Sequence, residues 1–172
     1  MVKVGILAYN GCYGSSVTGL IDVLQVANAH ILNVQGTDAP QFSWEIIATD
    51  NKPVSAQGNI LLQPDITLDK AEGYSVVYLP ACFYPGAQEF SQWLSQQTQS
   101  VEWLKTQWQR GAVISANCTG TFVLAETGLL DHRTGTTTWW LARQFRRRYP
   151  KVKIAPKEMI TECDKLKEIL KS

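Results

Sequence analysis

Residues 112–120 read AVISANCTG, and this short stretch decides the fold. The apolar run over 112–116 is typical of a buried strand, and residues 117–120 form a tight connection into a helix over 121–127. Cys118 lies in this strand-to-helix connection, with an alanine two positions before it and a glycine two positions after it. Small flanking residues allow the strained backbone of a nucleophile elbow, in which the start of the helix favours a thiolate. The stretch predicts such an elbow at Cys118, and the simpler interpretation is a buried cysteine that acts as a small apolar residue.

Strands and helices alternate along the rest of the chain. Strands are predicted over 2–9, 42–49 and 75–80, one or two short strands over 58–68, and helices over 17–31, with Ser15 or Ser16 as N-cap, and over 90–108. Such alternation predicts a doubly wound α/β domain, a mostly parallel sheet with helices on both faces. Ligands bind such folds at the carboxyl ends of the strands, so we expect functional residues directly after strands.

The composition fits one globular domain. The chain has 172 residues, 45% of them apolar and 18% charged, and a formal net charge of +1, which gives no global field to hold a polyanion. No continuous apolar stretch reaches the ~20 residues that span a bilayer, and the N-terminus does not read as a signal peptide, so we expect a cytoplasmic protein that does not contact a membrane. The four cysteines are widely spaced without a CxxC pair, which predicts reduced thiols and no metal site. No pattern in the sequence predicts a cofactor.

A longer stretch around the elbow resembles a known family. Residues 112–150 read AVISANCTGTFVLAETGLLDHRTGTTTWWLARQFRRRYP and are similar to the ThiJ/PfpI superfamily, whose fold is class I glutamine amidotransferase-like and flavodoxin-like. More narrowly, the Cys-Thr-Gly elbow, the LAE and GLLD segments, the paired threonines and the basic FRRRYP segment resemble the N-terminal sensing domains of AraC-type transcriptional regulators. The resemblance covers residues 2–161, and we expect residues 162–172 to be a charged C-terminal tail that forms a short surface helix or a frayed end.

This resemblance implies a regulatory role. We expect a ligand-sensing domain that binds a small molecule, forms a homodimer, and contacts DNA only through a helix-turn-helix domain that this stretch does not contain. Because the Cys-Thr-Gly segment marks the site, Cys118 and Thr119 are expected to line it.

Three departures from the family pattern predict a degenerate, non-catalytic site. Catalytic members pair the elbow cysteine with an acidic residue in the first helix and a histidine after the paired threonines, and these positions hold Ser16 and Trp139. Ala81 and Cys82 replace the Gly-Gly whose backbone N–H groups help to form an oxyanion hole. The alternative function is a cysteine-dependent amidase, peptidase, glyoxalase or hydratase, which would need an acid or an imidazole beside Cys118. A third reading is a purely structural subunit of a larger complex.

Three cysteines each follow a strand, which suggests a thiol-lined pocket. Cys12, Cys82 and Cys118 would share one edge of the sheet and could sense oxidation, an electrophile or a soft metal; the alternative is three unrelated thiols. The predicted ligand-binding set is Gly11, Cys12, Ser16, Ala81, Cys82, Cys118, Thr119 and Trp139. His30 is expected on the surface and His132 in a turn.

Arginine and tryptophan are concentrated in two other segments. Arg143, Arg146, Arg147 and Arg148 are expected to form a solvated helix face rather than a DNA contact. Trp93, Trp103 and Trp108 suggest an apolar surface that a partner chain covers. Trp139 could line the ligand pocket, although a core or interface role is commoner for tryptophan.

Overall fold

In residues 1–164 and 166–169, which the computed structural model describes, a seven-stranded sheet forms the centre of the molecule. The strands in chain order are β1 (Val2–Leu7), β2 (Phe42–Ala48), β3 (Val54–Ala56), β4 (Ile60–Leu62), β5 (Ile66–Thr67), β6 (Val76–Leu79), β7 (Val113–Asn117), β8 (Thr134–Gly135), β9 (Lys153–Ile154), β10 (Ile160–Cys163) and β11 (Leu166–Ile169). The helices are α1 (Gly14–Gln35), α2 (Ala87–Ser95), α3 (Thr98–Gln109), α4 (Gly120–Glu126) and α5 (Ala142–Arg148), the last preceded by a short 3₁₀ turn (Trp139–Leu141).

The sheet has the topology of a doubly wound fold. Its strand order is β10-β11-β7-β6-β1-β2-β5, and all neighbours are parallel except β10 and β11. The series β2-β1-β6-β7-β11 corresponds to the flavodoxin-like order 2-1-3-4-5. The predicted mostly parallel α/β fold is therefore confirmed, and the switch point lies between β1 and β6, where the chain changes its direction of growth across the sheet.

Apolar side chains of the central strands fill the core. Ile6, Ile47, Leu79 and Ile114 are completely buried, as expected for parallel strands that read as continuous apolar runs. Helix α4 packs on β6 and β7, and its Phe122 is also completely buried. This burial fixes the start of α4, two residues after Cys118, against the sheet.

The first helix differs from its prediction at the N-terminus. It starts at Gly14 with Tyr13 as N-cap, and no side chain caps it. The prediction of Ser15 or Ser16 as N-cap is wrong, because Ser16 lies within the first turn and its hydroxyl is bonded to groups outside the helix. The single helix predicted over 90–108 is also different in the structure, where this segment forms two helices, α2 and α3.

Helix α1 is long and apolar enough to qualify as a membrane span on length and composition alone. The expectation from the sequence concerned continuous apolar stretches, and polar residues interrupt every such stretch within α1. The observation is weak evidence for a membrane span, since core helices of globular proteins and signal sequences pass the same test.

The C-terminal segment forms strands where we expected a tail or a short helix. β10 and β11 form an antiparallel pair, and β11 lies beside β7 in the main sheet. The boundary expected at residue 161 therefore divides a strand. This segment forms a strand because its burial alternates with a period of two: Thr161 is buried, whereas Ile160 and Glu162 are exposed. In the next strand, Leu166 is buried in the core. Residues 165 and 170–172 of the expected tail lie outside the described residues.

The tryptophan series does not form the exposed apolar surface that we expected. Trp103 is buried and its indole N–H donates to the carbonyl of Ala71. Trp93 is half-buried, and its ring lies parallel to that of Phe90 at 5.5 Å between centroids. The spacing of these residues reflects packing within the domain, as Trp108 is also half-buried.

Candidate functional site

Cys118 lies in a tight turn between β7 and α4. Its backbone has φ 54°, in the left-handed region that few non-glycine residues adopt, and its side chain is half-buried. Position 120, two residues further on, has no room for a side chain. A Cβ there would lie 2.7 Å from the carbonyl oxygen of Leu79 and 2.8 Å from that of Pro80, so the position requires glycine. The end of β6 thus packs against the first turn of α4, and Cys118 is held at the carboxyl edge of the sheet.

A neutral hydrogen-bond network occupies the position where catalytic members of the resembled family place their acid. The hydroxyl of Ser16 lies 3.0 Å from the hydroxyl of Tyr78. The side-chain amide of Asn117 donates to Tyr78 at 3.0 Å and to Ser16 at 3.3 Å. All three residues are buried, and burial raises the pKa of the Tyr78 phenol, so the network carries no charge at neutral pH.

The backbone N–H groups that an oxyanion hole would use are already engaged. The N–H of Ala81 donates to the hydroxyl of Ser16 at 3.1 Å. The N–H of Cys82 donates to the hydroxyl of Thr119 at 2.7 Å, and this hydroxyl donates back to the carbonyl of Cys82 at 2.7 Å. An oxyanion could use either donor only after an existing buried hydrogen bond was broken.

Among the described residues, Cys118 contributes to the raised pKa values of three phenols and one thiol. They are Tyr9, Tyr13, Tyr78 and Cys82, and in each case burial is the largest cause of a raised pKa. None of these groups is a carboxylate or an imidazole that could accept a proton near pH 7. The two histidines of the chain, His30 and His132, are both exposed, as expected for His30.

Cys12 and Cys82 face each other across an antiparallel bridge. The N–H of Tyr13 donates to the carbonyl of Ala81 at 2.8 Å, and the N–H of Phe83 to the carbonyl of Gly11 at 2.9 Å. These bonds flank the cysteines, which makes them a non-hydrogen-bonded pair, for which the Cα separation is about 4.5 Å. Both side chains are buried; burial raises the pKa of Cys12 and raises that of Cys82 to about 12.

The expected proximity of thiols therefore holds for Cys12 and Cys82, and Cys118 lies close enough to contribute to the raised pKa of Cys82. Among the described residues, however, no group of three or more His, Cys, Asp or Glu side chains is arranged to hold a metal ion. The thiol hypothesis, including its soft-metal version, stays a prediction.

A small cavity of about 170 Å³ opens beside Cys82. It lies at the carboxyl ends of β1 and β6, and it is lined by Gly11 and Cys82 together with Phe83, Phe90 and Trp93. Ligands bind doubly wound folds at this switch point. Trp139, by contrast, is 69% exposed in the 3₁₀ turn, so its role in a ligand pocket stays a prediction.

Sequence reasoning missed three polar residues of the site. Tyr78 and Asn117 form the buried network, and the hydroxyl of Thr137 donates to the carbonyl of Cys118 at 3.1 Å. Asn117 and Thr137 belong to the quoted motif, directly before the cysteine and in the threonine pair, so their position was a usable signal. Tyr78 gave none, because a tyrosine inside an apolar strand reads as a core residue.

Comparison with known proteins gives a family for the chain. The DJ-1/PfpI family matches residues 2–165. Among curated proteins, the HTH-type transcriptional regulator CdhR of Pseudomonas aeruginosa is 28% identical over 145 residues, which cover 82% of this chain and 39% of that regulator. An isonitrile hydratase of Pseudomonas putida is 22% identical over 138 residues, covering 80% of this chain and 53% of the enzyme.

Solved structures agree on the fold. A protein from Vibrio parahaemolyticus assigned as a transcriptional regulator superimposes with a TM-score of 0.81 at 18% identity, covering 98% of this chain and 84% of that one. An AraC family transcriptional regulator from Pseudomonas putida gives a TM-score of 0.70 at 15% identity, with 98% and 83% covered. The predicted resemblance to the ThiJ/PfpI superfamily and to AraC-type regulators is confirmed. The chain spans about two fifths of the length of the curated regulator CdhR.

Proposed function

Because the chain belongs to the DJ-1/PfpI family, we propose that it is the ligand-sensing domain of an AraC-type transcriptional regulator, with a cysteine site that does not catalyse a reaction. The likeness to a curated regulator over most of this chain supports the regulatory role. In this proposal, DNA is contacted by a helix-turn-helix segment outside these 172 residues, and the protein acts in the cytoplasm.

One observation carries the non-catalytic part of the proposal. Both backbone donors beside Cys118, the N–H groups of residues 81 and 82, are bonded to the hydroxyls of Ser16 and Thr119. Acyl transfer needs such donors to be aimed at the developing oxyanion, together with a base that shuttles a proton. Here both donors are occupied by hydroxyl groups.

The same geometry supports a small, mostly apolar ligand. The cavity of about 170 Å³ is lined mainly by aromatic and apolar groups, and Cys118 lies at the same edge of the sheet. This volume is below the range of drug-sized sites, so the ligand would have few non-hydrogen atoms. The walls of the site would be held by the β-bridge between Cys12 and Cys82 and by two hydrogen bonds. In these bonds the hydroxyl of Ser16 accepts from the N–H of Ala81, and the hydroxyl of Thr119 accepts from the N–H of Cys82.

The proposal is tested by binding and turnover on the same variants. A library of small metabolites is screened by thermal shift; a true ligand at a hundred times its Kd stabilises the fold by about 2.7 kcal/mol. We expect at least one compound to do so, and we expect Cys118→Ala to reduce its effect while Cys163→Ala, a change at a half-buried cysteine of β10, leaves it unchanged.

Turnover decides between the two classes of protein. The likeness to an isonitrile hydratase favours the enzyme alternative, so the assay follows formamide formation from an alkyl isonitrile and the loss of methylglyoxal. We expect no turnover above buffer. Turnover that Cys118→Ser abolishes would replace the regulatory proposal with the enzyme.

The homodimer is part of the same proposal. Helix α1 presents Val23, Val26 and Val34 to solvent, and a second copy of the chain would cover this apolar face. We expect light scattering to give twice the mass of the chain, and Val23→Lys combined with Val26→Lys to give the monomer mass. A monomeric wild-type protein at the concentrations of the thermal-shift assay would contradict this part.

A further inference from the structure

A second and larger cavity lies between α2, α4 and α5, and no cysteine lines it. Its volume is about 650 Å³, within the range of small-molecule sites, and none of the predicted ligand residues lines it. Phe90, Leu94 and Phe122 are buried and form its apolar floor. Trp140 is half exposed at its side and contacts the ring of Tyr84 edge-on at 5.7 Å between centroids. We call this cavity the arginine groove, because Arg143, Arg147 and Arg148 complete its lining.

The arginines of the groove differ in how they are bonded. The Nε of Arg148 donates to the carboxylate of Glu126 at 2.7 Å, and its Nη1 donates to the hydroxyl of Ser91 at 2.7 Å. Arg148 is therefore neutralised within the fold. Arg143 and Arg147 are exposed, and neither forms an ion pair with any described residue.

The groove thus combines an apolar aromatic floor with two uncompensated guanidinium groups. A guanidinium group recognises oxyanions such as carboxylates, sulfonates and phosphates through paired N–H donors, each directed at a separate oxygen. Aromatic and aliphatic floors contribute affinity by removing apolar ligand surface from water. The chain as a whole carries a net charge of only +1, so the positive charge here is local to α5.

We propose that the arginine groove binds an amphipathic organic anion, a small aromatic or aliphatic group that carries a carboxylate, sulfonate or phosphate. The apolar part lies on Phe90 and Phe122, and the anionic part lies between Arg143 and Arg147. Apart from the ring of Phe90, this site shares no lining residue with the cavity of the proposed function, and its existence does not depend on whether Cys118 is catalytic.

A small molecule fits the groove better than a nucleic acid does. The floor is recessed and apolar, whereas a phosphate backbone is recognised by cations on an open surface. Helix α5 is seven residues long, and only Arg143 and Arg147 combine a place in the groove with an uncompensated charge. Duplex DNA is nevertheless included as an outcome of the test.

The test uses two fluorescent probes of similar shape, the anion 8-anilinonaphthalene-1-sulfonate and the neutral N-phenyl-1-naphthylamine. We expect the anionic probe to bind the wild-type protein saturably, with one site per chain. Replacing both groove cations (Arg143→Gln with Arg147→Gln) should weaken the anionic probe about tenfold and the neutral probe less than about twofold. Trp140→Ala should weaken both probes, because it removes apolar contact from both.

Arg146→Gln is the matched control, because Arg146 lies on the same helix and is exposed but does not line the groove. All substituted residues are on the surface, so the variants should keep the wild-type circular dichroism spectrum. The proposal is overturned if the anionic probe does not saturate, if the double variant binds it as tightly as wild type, or if Arg146→Gln has the same effect. It is also overturned if a labelled 20-base-pair duplex binds and loses affinity in the double variant while the anionic probe does not.

Discussion

Oxidation of the protein should link Cys12 to Cys82. The two residues form a non-hydrogen-bonded antiparallel pair, and its Cα separation of about 4.5 Å lies within the range that disulfides span, about 4.4 to 6.8 Å. Diamide removes two electrons and two protons from the pair of thiols, and one sulfur–sulfur bond forms. Because the pKa of Cys82 is raised to about 12 and that of Cys12 is also raised, few thiolates exist at pH 7 and the reaction should be slow there. Its rate should rise about tenfold per pH unit between pH 7 and pH 9.

The size of the effect follows from the loop that the bond would close. A link between positions 12 and 82 closes a loop of about 70 residues, which lowers the entropy of the unfolded chain by about 15 cal/mol/K. At 25 °C this corresponds to a rise of about 4 kcal/mol in the free energy of unfolding, and for a domain of this size to a rise in Tm of roughly 10 °C. The strain in the folded state should be small, since the bridge already holds the two backbones together.

The assay compares urea unfolding of oxidised protein with and without a phosphine reductant, and non-reducing peptide mass spectrometry identifies the link. Cys12→Ser treated with the same oxidant should show no stabilisation, whereas Cys163→Ser should keep it. A link between Cys82 and Cys118, or a Cys12–Cys82 link without any increase in stability, would refute the argument from the bridge geometry.

Three further changes test the packing and the buried groups. Gly120→Ala should destabilise the fold by about 2 to 3 kcal/mol in urea unfolding, because its Cβ meets backbone carbonyls. The control Gly19→Ala, at an open position of α1, should stabilise the fold by about 0.5 to 1 kcal/mol. Equal effects of the two substitutions would contradict the close approach of β6 to the start of α4. Ser16→Ala should cost about 1 to 3 kcal/mol, because the buried N–H of Ala81 loses its acceptor, and a cost below this range would mean that water replaces the hydroxyl. The contribution of the buried thiols to stability should be constant below about pH 8.5 and fall above it by about 1.4 kcal/mol per pH unit for each thiol that stays protonated only in the folded state. Cys82→Ala should flatten this slope between pH 8.5 and 10 in urea titrations, and an unchanged slope would assign the loss to other groups.

Much of the fold could be predicted from the sequence because its central strands are short apolar runs separated by turns. The strand-to-helix turn at Cys118 could be predicted because a short apolar run ends there in small and polar residues. The C-terminal strands could not be predicted from the sequence, because the segment around Glu162 is rich in charged residues and its alternation of buried and exposed positions is only a few residues long. Strand β11 is defined mainly by its pairing with β7, which is a tertiary contact that local sequence does not encode.

The hydrogen bonds of the candidate site could not be predicted from the sequence. Counting along the motif placed Ser16 at the position of an acid, and this indicated only that a charge is missing. In the structure, the Ser16 hydroxyl accepts hydrogen bonds from the N–H of Ala81 and the side-chain amide of Asn117, and it is also hydrogen-bonded to the hydroxyl of Tyr78. Such bonds join residues up to 101 positions apart in the chain, so they depend on the fold being complete before they can be identified.

The two cavities are connected through one side chain, Phe90. Its ring lines both the small cavity beside Cys82 and the arginine groove, and it is almost completely buried. It lies parallel to Trp93 on one side and meets Phe122 edge-on at 5.2 Å on the other. Because a close-packed ring cannot shift toward one cavity without opening the other, a ligand that moves Phe90 at either site must change the shape of the second. Any resulting coupling free energy is equal in both directions, so a regulatory domain built on this fold has a physical route by which an anion in the groove alters binding beside the cysteines.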